Sequence, residues 1–174
     1  MTLPSPPSAP PSGPQSGPPS APPAGFPPPR TPAARRADVE RMLTEENHLW
    51  LATAGPDGPH LVPLAFAWDG TFLHMMTKRG SRTVTNLRRT PRARASLGST
   101  RDVVLVDGEV ECVEPGEAAP EVRALFARLP LNPERVPGVI ALRLRPERVL
   151  AWRHMGEMPG RTVMSGGRWV TGAA

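Results

Sequence analysis

The run Thr77-Lys78-Arg79-Gly80-Ser81-Arg82-Thr83-Val84-Thr85-Asn86-Leu87 gathers residue types suited to holding an anion. Lys78, Arg79 and Arg82 crowd cations into one loop, and Lys78 is the only lysine among 21 basic residues. Gly80 can take the backbone angles of a sharp turn, and Ser81 is a favourable helix N-cap. Val84 and Leu87 then form the apolar stripe of a short helix that must end before Pro91. The first N–H groups of a helix lack intrahelical partners and carry partial positive charge. A basic loop feeding such a terminus suits a phosphate. The same residues also describe a solvated basic loop that merely caps a helix, so the surrounding chain has to decide.

Other chemistries are poorly supplied. His48, His60, His74 and His154 are dispersed, with no cysteine or carboxylate at metal-ligand spacing. His60 and His74 are expected on exposed strand faces. No Gly-x-Ser-x-Gly elbow or Walker-type phosphate loop occurs, and the acidic residues form no evident catalytic pair. A cofactor with its own reactivity, bound and oriented by the protein, fits this inventory better than side-chain catalysis.

Composition sets the frame. Fourteen of the 25 prolines lie within residues 1–33, among Ser, Ala and Gly. A segment so poor in large apolar side chains cannot offset its ordering entropy, and residues 1–33 are expected to be a disordered tail. Its role is solubilising, or docking to a proline-recognition domain; it lacks a signal-peptide layout. Residues 34–174 suit a single domain. No apolar run approaches the roughly 20 residues that span a bilayer. One cysteine, Cys112, excludes an internal disulfide framework and fits a reducing cytoplasm. The net charge of +5 is spread along the chain as arginine, with few aromatics, which argues against a nucleic-acid partner.

The elements that must position the loop follow from periodicity. Residues 34–47 carry a helical stripe of Val39, Met42 and Leu43. Leu49–Ala54 is a strand, Gly55-Pro56-Asp57-Gly58 a turn, and Pro59–Trp68 a second strand. That second strand is apolar on both faces and must be covered on both; Pro63 within it points to a bulge or an interrupted ladder. Asp69-Gly70 marks a hairpin into the strand Thr71–Thr77. Arg92–Leu97 follows as a strand, then Asp102–Glu114, broken at Asp107-Gly108. A helix is expected over about residues 117–129. Strands Val139–Leu144 and Arg148–Trp152 hinge at Pro146, and a hairpin closes on Gly166-Gly167. Short hairpin-linked strands with a few helices define a mainly β, α+β chain: a small antiparallel barrel with peripheral helices.

Several of these stretches, taken together, resemble the pyridoxamine 5'-phosphate oxidase-like, FMN-binding split-barrel superfamily. The resemblance rests on Leu51–Gly58, Val62-Pro63-Leu64 with Phe66, and Thr77 followed by Ser81-Arg82. Asn86-Leu87-Arg88-Arg89 with Pro91, and Val106-Asp107-Gly108-Glu109-Val110, continue it in register across about residues 38–155.

The resemblance implies a flavin/deazaflavin oxidoreductase. Backbone around Val62, Pro63 and Leu64 would line the ring of FMN or coenzyme F-420, and Thr77, Ser81 and Arg82 would hold its phosphate. The family commonly has lysine after Ser-Arg, where this chain has Thr83; Lys78 is expected to supply that charge instead. Asn86 either contacts the cofactor or caps nearby backbone, and Trp152 either covers the ring edge or belongs to core. The implied reaction is hydride transfer to or from a small organic substrate, in particular at a CH–CH group, by a homodimer with the cofactor at its interface. The alternative is a non-catalytic flavin- or haem-binding split-barrel module, the haem form needing an axial histidine for which only His154 is placed.

Overall fold

The computed structural model describes residues 25–170. Helix α1 (Pro32–Glu45) leads into β1 (His48–Gly55), β2 (Gly58–Trp68) and β3 (Leu73–Lys78), then α2 (Arg82–Arg89). Strands β4 (Arg92–Ser99) and β5 (Asp102–Val113), helix α3 (Pro120–Phe126), β6 (Val139–Trp152), β7 (Thr162–Ser165) and β8 (Arg168–Trp169) complete the chain. All pairings are antiparallel, in the order β3-β2-β1-β4-β5-β6-β7-β8, and β3 also pairs with β6. That last pairing closes β1–β6 into a six-stranded barrel, and β7 and β8 extend from β6 as a flap. The expected small split barrel with peripheral helices is the fold observed.

Strand alternation fills the barrel. Leu49, Leu51, Phe66, Leu73, Met75, Ala95, Val104, Val106, Leu142 and Leu144 are buried in one cluster. Val84 and Leu87 bring α2 onto that cluster, and Val39, Met42 and Leu43 bring α1. A second, outer cluster joins Phe126 and Leu129 to Met76, Val139 and Ala141, so α3 lies on the outside of the β3–β6 pair. The two-faced strand β2 is thereby explained in part. Val62, Leu64 and Trp68 face the inner cluster, whereas Ala65 and Ala67 lie under the outer one.

Four expectations are corrected. Pro63 causes no bulge: its pairing with Trp50 is in unbroken register. The Phe66 amide donates to Asn47 O at 3.0 Å, which fixes even-numbered β2 residues as those bonded to β1. Odd-numbered Pro59 and Pro63 therefore direct their missing N–H outward, where β2 has no partner strand before Phe66. The break at Asp107-Gly108 and the hinge at Pro146 are likewise one feature within two continuous strands. Asp107 pairs with Arg148 and Gly108 with Pro146, leaving Glu147 as the extra residue of a bulge. Gly108 is needed there, because a Cβ would stand 2.0 Å from Arg145 O.

The helix expected over 117–129 is shorter: a 3-10 turn at Pro115–Glu117, then α3 from Pro120 to Phe126. The folded unit also begins before residue 34. Thr31 caps α1 through a bond from the Ala34 amide, 3.1 Å. Arg30 reaches Glu157 by two side-chain bonds of 2.9 and 2.7 Å. Residues 1–24 of the expected tail lie outside the described residues.

Candidate functional site: the α2 N-terminus and the β2 groove

Strand β3 delivers Thr77 and Lys78 to the end of the barrel, and a two-residue turn at Arg79-Gly80 hands the chain to α2. The Ser81 amide donates to Lys78 O at 3.0 Å, closing that turn. Ser81 caps the helix, its Oγ accepting from the Val84 amide at 3.3 Å. Thr77, nearly buried, places its hydroxyl 3.4 Å from the same Oγ. A Cβ on Gly80 would meet nothing within 4 Å, so space lies open in front of the turn.

The cations divide by role. Arg79 is engaged by Glu114, with Nη2 2.7 Å from Oε2. Arg82 is half exposed and only loosely faces Asp57, at 3.5 Å. Lys78 is exposed and touches Pro137 O at 3.5 Å. Thr83, at the position where the family commonly has lysine, is buried at 2 % exposure. Its side chain cannot serve a phosphate.

Asn86 is buried and donates to Thr53 Oγ1 at 3.0 Å. Its side chain bonds another side chain and not the backbone it was expected to cap, and so ties α2 to β1.

Val62, Pro63 and Leu64 pair with β1 on one edge and lie on the part of β2 whose other edge has no partner strand. Outside that strand runs a groove of about 280 Å³ lined by Pro63, Leu64, Ala65, Met76, Leu129 and Leu131. Its floor residue Met76 immediately precedes Thr77, so groove and helix terminus adjoin. Pro59, Leu61 and Pro63 turn their carbonyls, and Leu61 its amide, toward the edge that has no partner strand before Phe66. His48 also lines this groove. It, Met76 and the Leu129–Leu131 segment were not foreseen, since nothing local in the sequence links them.

Trp152 is not brought to the site. β6 starts at Val139, opposite Lys78, and Trp152 closes its far end opposite Val103; at about 3.3 Å per residue that is roughly 40 Å of strand away. Within one chain the ring role falls to other residues. His74 is not on an exposed face either. It is 2 % exposed, with Nε2 2.6 Å from Asp69 Oδ2. Among the described residues, no group of three or more His, Cys, Asp or Glu could hold a metal ion, and no helix is long and apolar enough to cross a membrane. Cys112 is half-buried, and burial pushes its thiol pKa up, which suits an unreactive position.

A split barrel with a Ser81-capped helix terminus among basic residues, and an apolar groove along β2, defines the class. A family model for pyridoxamine 5'-phosphate oxidase matches residues 36–153, and the chain belongs to that family. No curated protein matches it. Among solved structures it is similar to the conserved hypothetical protein Rv2991 from Mycobacterium tuberculosis, at 26% identity and TM-score 0.56, over 69% of this chain and 85% of that one. A second similar structure is a putative pyridoxamine 5'-phosphate oxidase from Listeria innocua, at 15% identity and TM-score 0.56, over 68% and 98%. A third is an F420 reductase, at 23% identity and TM-score 0.50, over 63% and 94%.

Proposed function

We propose that the chain is a flavin- or deazaflavin-dependent oxidoreductase holding FMN or coenzyme F-420 across the β2 groove and the α2 N-terminus. The observation that carries this is adjacency: a terminus ringed by Ser81, Lys78 and Arg82 adjoins an apolar groove with a free strand edge. A planar heterocycle linked to a phosphate needs those two surfaces side by side.

Each group has a part. The Thr77 and Ser81 hydroxyls and the first α2 amides donate to phosphate oxygens, and Lys78 and Arg82 balance the charge. The Pro63 carbonyl meets the polar ring edge, while Pro63, Ala65 and Met76 supply apolar contact. The bound cofactor supplies hydride transfer at ring position five, to or from a carbon–carbon double bond or similar conjugated acceptor. The protein contributes orientation and electrostatics. The names of two similar structures, the F420 reductase and a FAD-binding protein from Mesorhizobium loti, support a ring of this type.

The working unit in this reading is a homodimer with the cofactor at the interface, in a reducing cytoplasm. Trp50 and Leu61, 50 % and 57 % exposed, stand beside Pro63 as an apolar patch continuous with the groove. A second copy laid there would seal the ring from water, and Trp152 would reach the cofactor only from that copy. The haem-binding alternative has less support. Its axial ligand would have to be His154, whose ring stacks on Phe26 with centroids 5.3 Å apart and planes 6° apart.

Turnover tests the proposal. Protein loaded with reduced F-420 or reduced FMN is mixed with an unsaturated carbonyl compound, and oxidation of the cofactor is followed by absorbance. Protein-dependent reoxidation by the organic acceptor without oxygen is the expected result; none with either cofactor across a panel of such acceptors contradicts it.

A further inference from the structure

A buried histidine, His74, bonded to the turn residue Asp69, lies outside this site. Asp69, in the β2–β3 turn, accepts the Thr71 and Phe72 amides at 2.7 and 2.6 Å through Oδ1. Its Oδ2 lies 2.6 Å from His74 Nε2. These bonds hold the Asp69 carboxyl below its ordinary pKa against the opposing effect of burial. A carboxylate only accepts, so Nε2 carries the proton, and in the tautomer this selects Nδ1 is the acceptor nitrogen.

The pair borders a hollow. Between α3 and the β3–β6 strands is a cavity of about 270 Å³ lined by His74, Arg143, Val113, Val122, Phe126 and Ala141. Asp69 is not among its lining residues, and the His74 ring packs edge-on against Phe126, with centroids 5.9 Å apart. Nδ1 has no partner among the described residues, yet it is not one of the sealed, unsatisfied atoms. Arg143 is directly opposite His74 in the β3–β6 register. Its Nε and Nη2 are held by Glu111, and its guanidinium stacks on Phe72 at 4.7 Å. Nη1 remains free. The only lining carboxylate is that of Glu117, exposed at the rim.

We propose that this hollow binds a small hydroxy acid with an apolar body. Its carboxylate meets Arg143 Nη1, its hydroxyl donates to His74 Nδ1, and its body rests on Phe126, Val122 and Ala141. Asp69 acts as a positioning residue, fixing the tautomer that makes His74 an acceptor. The site shares no residue with the β2 groove, so it stands or falls independently of the cofactor reading.

Long-range proton–nitrogen NMR of the four histidine rings in the full chain tests this, with mandelate as the probe. Phenylacetate lacks the hydroxyl and benzyl alcohol lacks the carboxylate. Mandelate is expected to shift the His74 Nδ1 signal saturably. Affinity falls about tenfold or more for either truncated probe and for Arg143→Gln. An unchanged His74 signal in ligand-free Arg143→Gln verifies that the Asp69 bond is intact. No saturable shift, equal binding of phenylacetate, or full affinity in Arg143→Gln each overturns the proposal.

Discussion

Asn86 donates its side-chain amide to Thr53 Oγ1 at 3.0 Å between α2 and β1, and Gly55 stands against the same carboxamide. A Cβ on Gly55 would come 2.2 Å from Asn86 Oδ1 and 2.9 Å from its Cγ. The β1–β2 hairpin and helix α2 are thus fitted to each other by one absent methyl and one buried amide.

Gly55→Ala is therefore expected to cost about 1–3 kcal/mol through overpacking. Asn86→Ala costs a similar amount by leaving the Thr53 hydroxyl without its partner. The double variant loses less than the sum, because the shortened residue 86 makes room for the new methyl. Thermal or denaturant unfolding measures all three, and strict additivity would contradict the contact.

Stability in acid should depend on Glu157. This carboxylate is 1 % exposed and accepts from Arg30 N, Nε and Nη2 and from Arg153 N, at 2.7–3.0 Å. The Arg30 guanidinium leads in holding its pKa down to about 2, against burial. A depressed folded-state pKa gives stability that is complete above the unfolded value near 4.5 and lost as pH falls toward 2. Glu157→Gln should lower stability at neutral pH by about 3 kcal/mol, as expected when one partner of a buried pair is removed. The gap between wild type and variant should narrow between pH 4.5 and 2 in urea titrations at each pH. A constant gap would refute the assignment.

The dimer proposal predicts a change of mass. Leu61→Arg or Trp50→Arg puts a charge into the exposed patch beside the groove, at positions whose side chains point away from the core. Light scattering after size-exclusion should show a dimer for the native chain and a monomer for either variant, with unchanged unfolding curvature of the barrel. A native monomer would sink the proposal.

Much of the barrel was legible because its signals are local. Turn chemistry at Gly55–Gly58 and Asp69-Gly70, and the cap at Ser81, set β1, β2, β3 and α2 to within a residue or two. What was misread depended on distant partners. Pro63 looks disruptive until the neighbour of β2 is known, because only then is it clear that its missing N–H faces an unpaired edge. His74 looks exposed in an alternating strand, yet α3 covers that outer face from some fifty residues away. Arg30 looks like part of a tail, and its partner Glu157 is 127 positions distant. Within the site, the phosphate end could be seen as a contiguous run, whereas the groove wall at Leu129–Leu131 had no sequence mark.

The most direct test is equilibrium titration of the purified chain with FMN and with F-420, followed by absorbance and fluorescence, in wild type and in Ser81→Ala, Arg82→Ala and Lys78→Ala. Ser81→Ala costs about 1 kcal/mol of stability as a lost cap, so each variant is first checked for folding. Saturable binding of one cofactor, weakened about tenfold or more by Arg82→Ala and Lys78→Ala in folded protein, is the predicted result. Binding of neither cofactor, or binding indifferent to all three substitutions, would contradict the placement of a phosphate-bearing flavin at the α2 N-terminus.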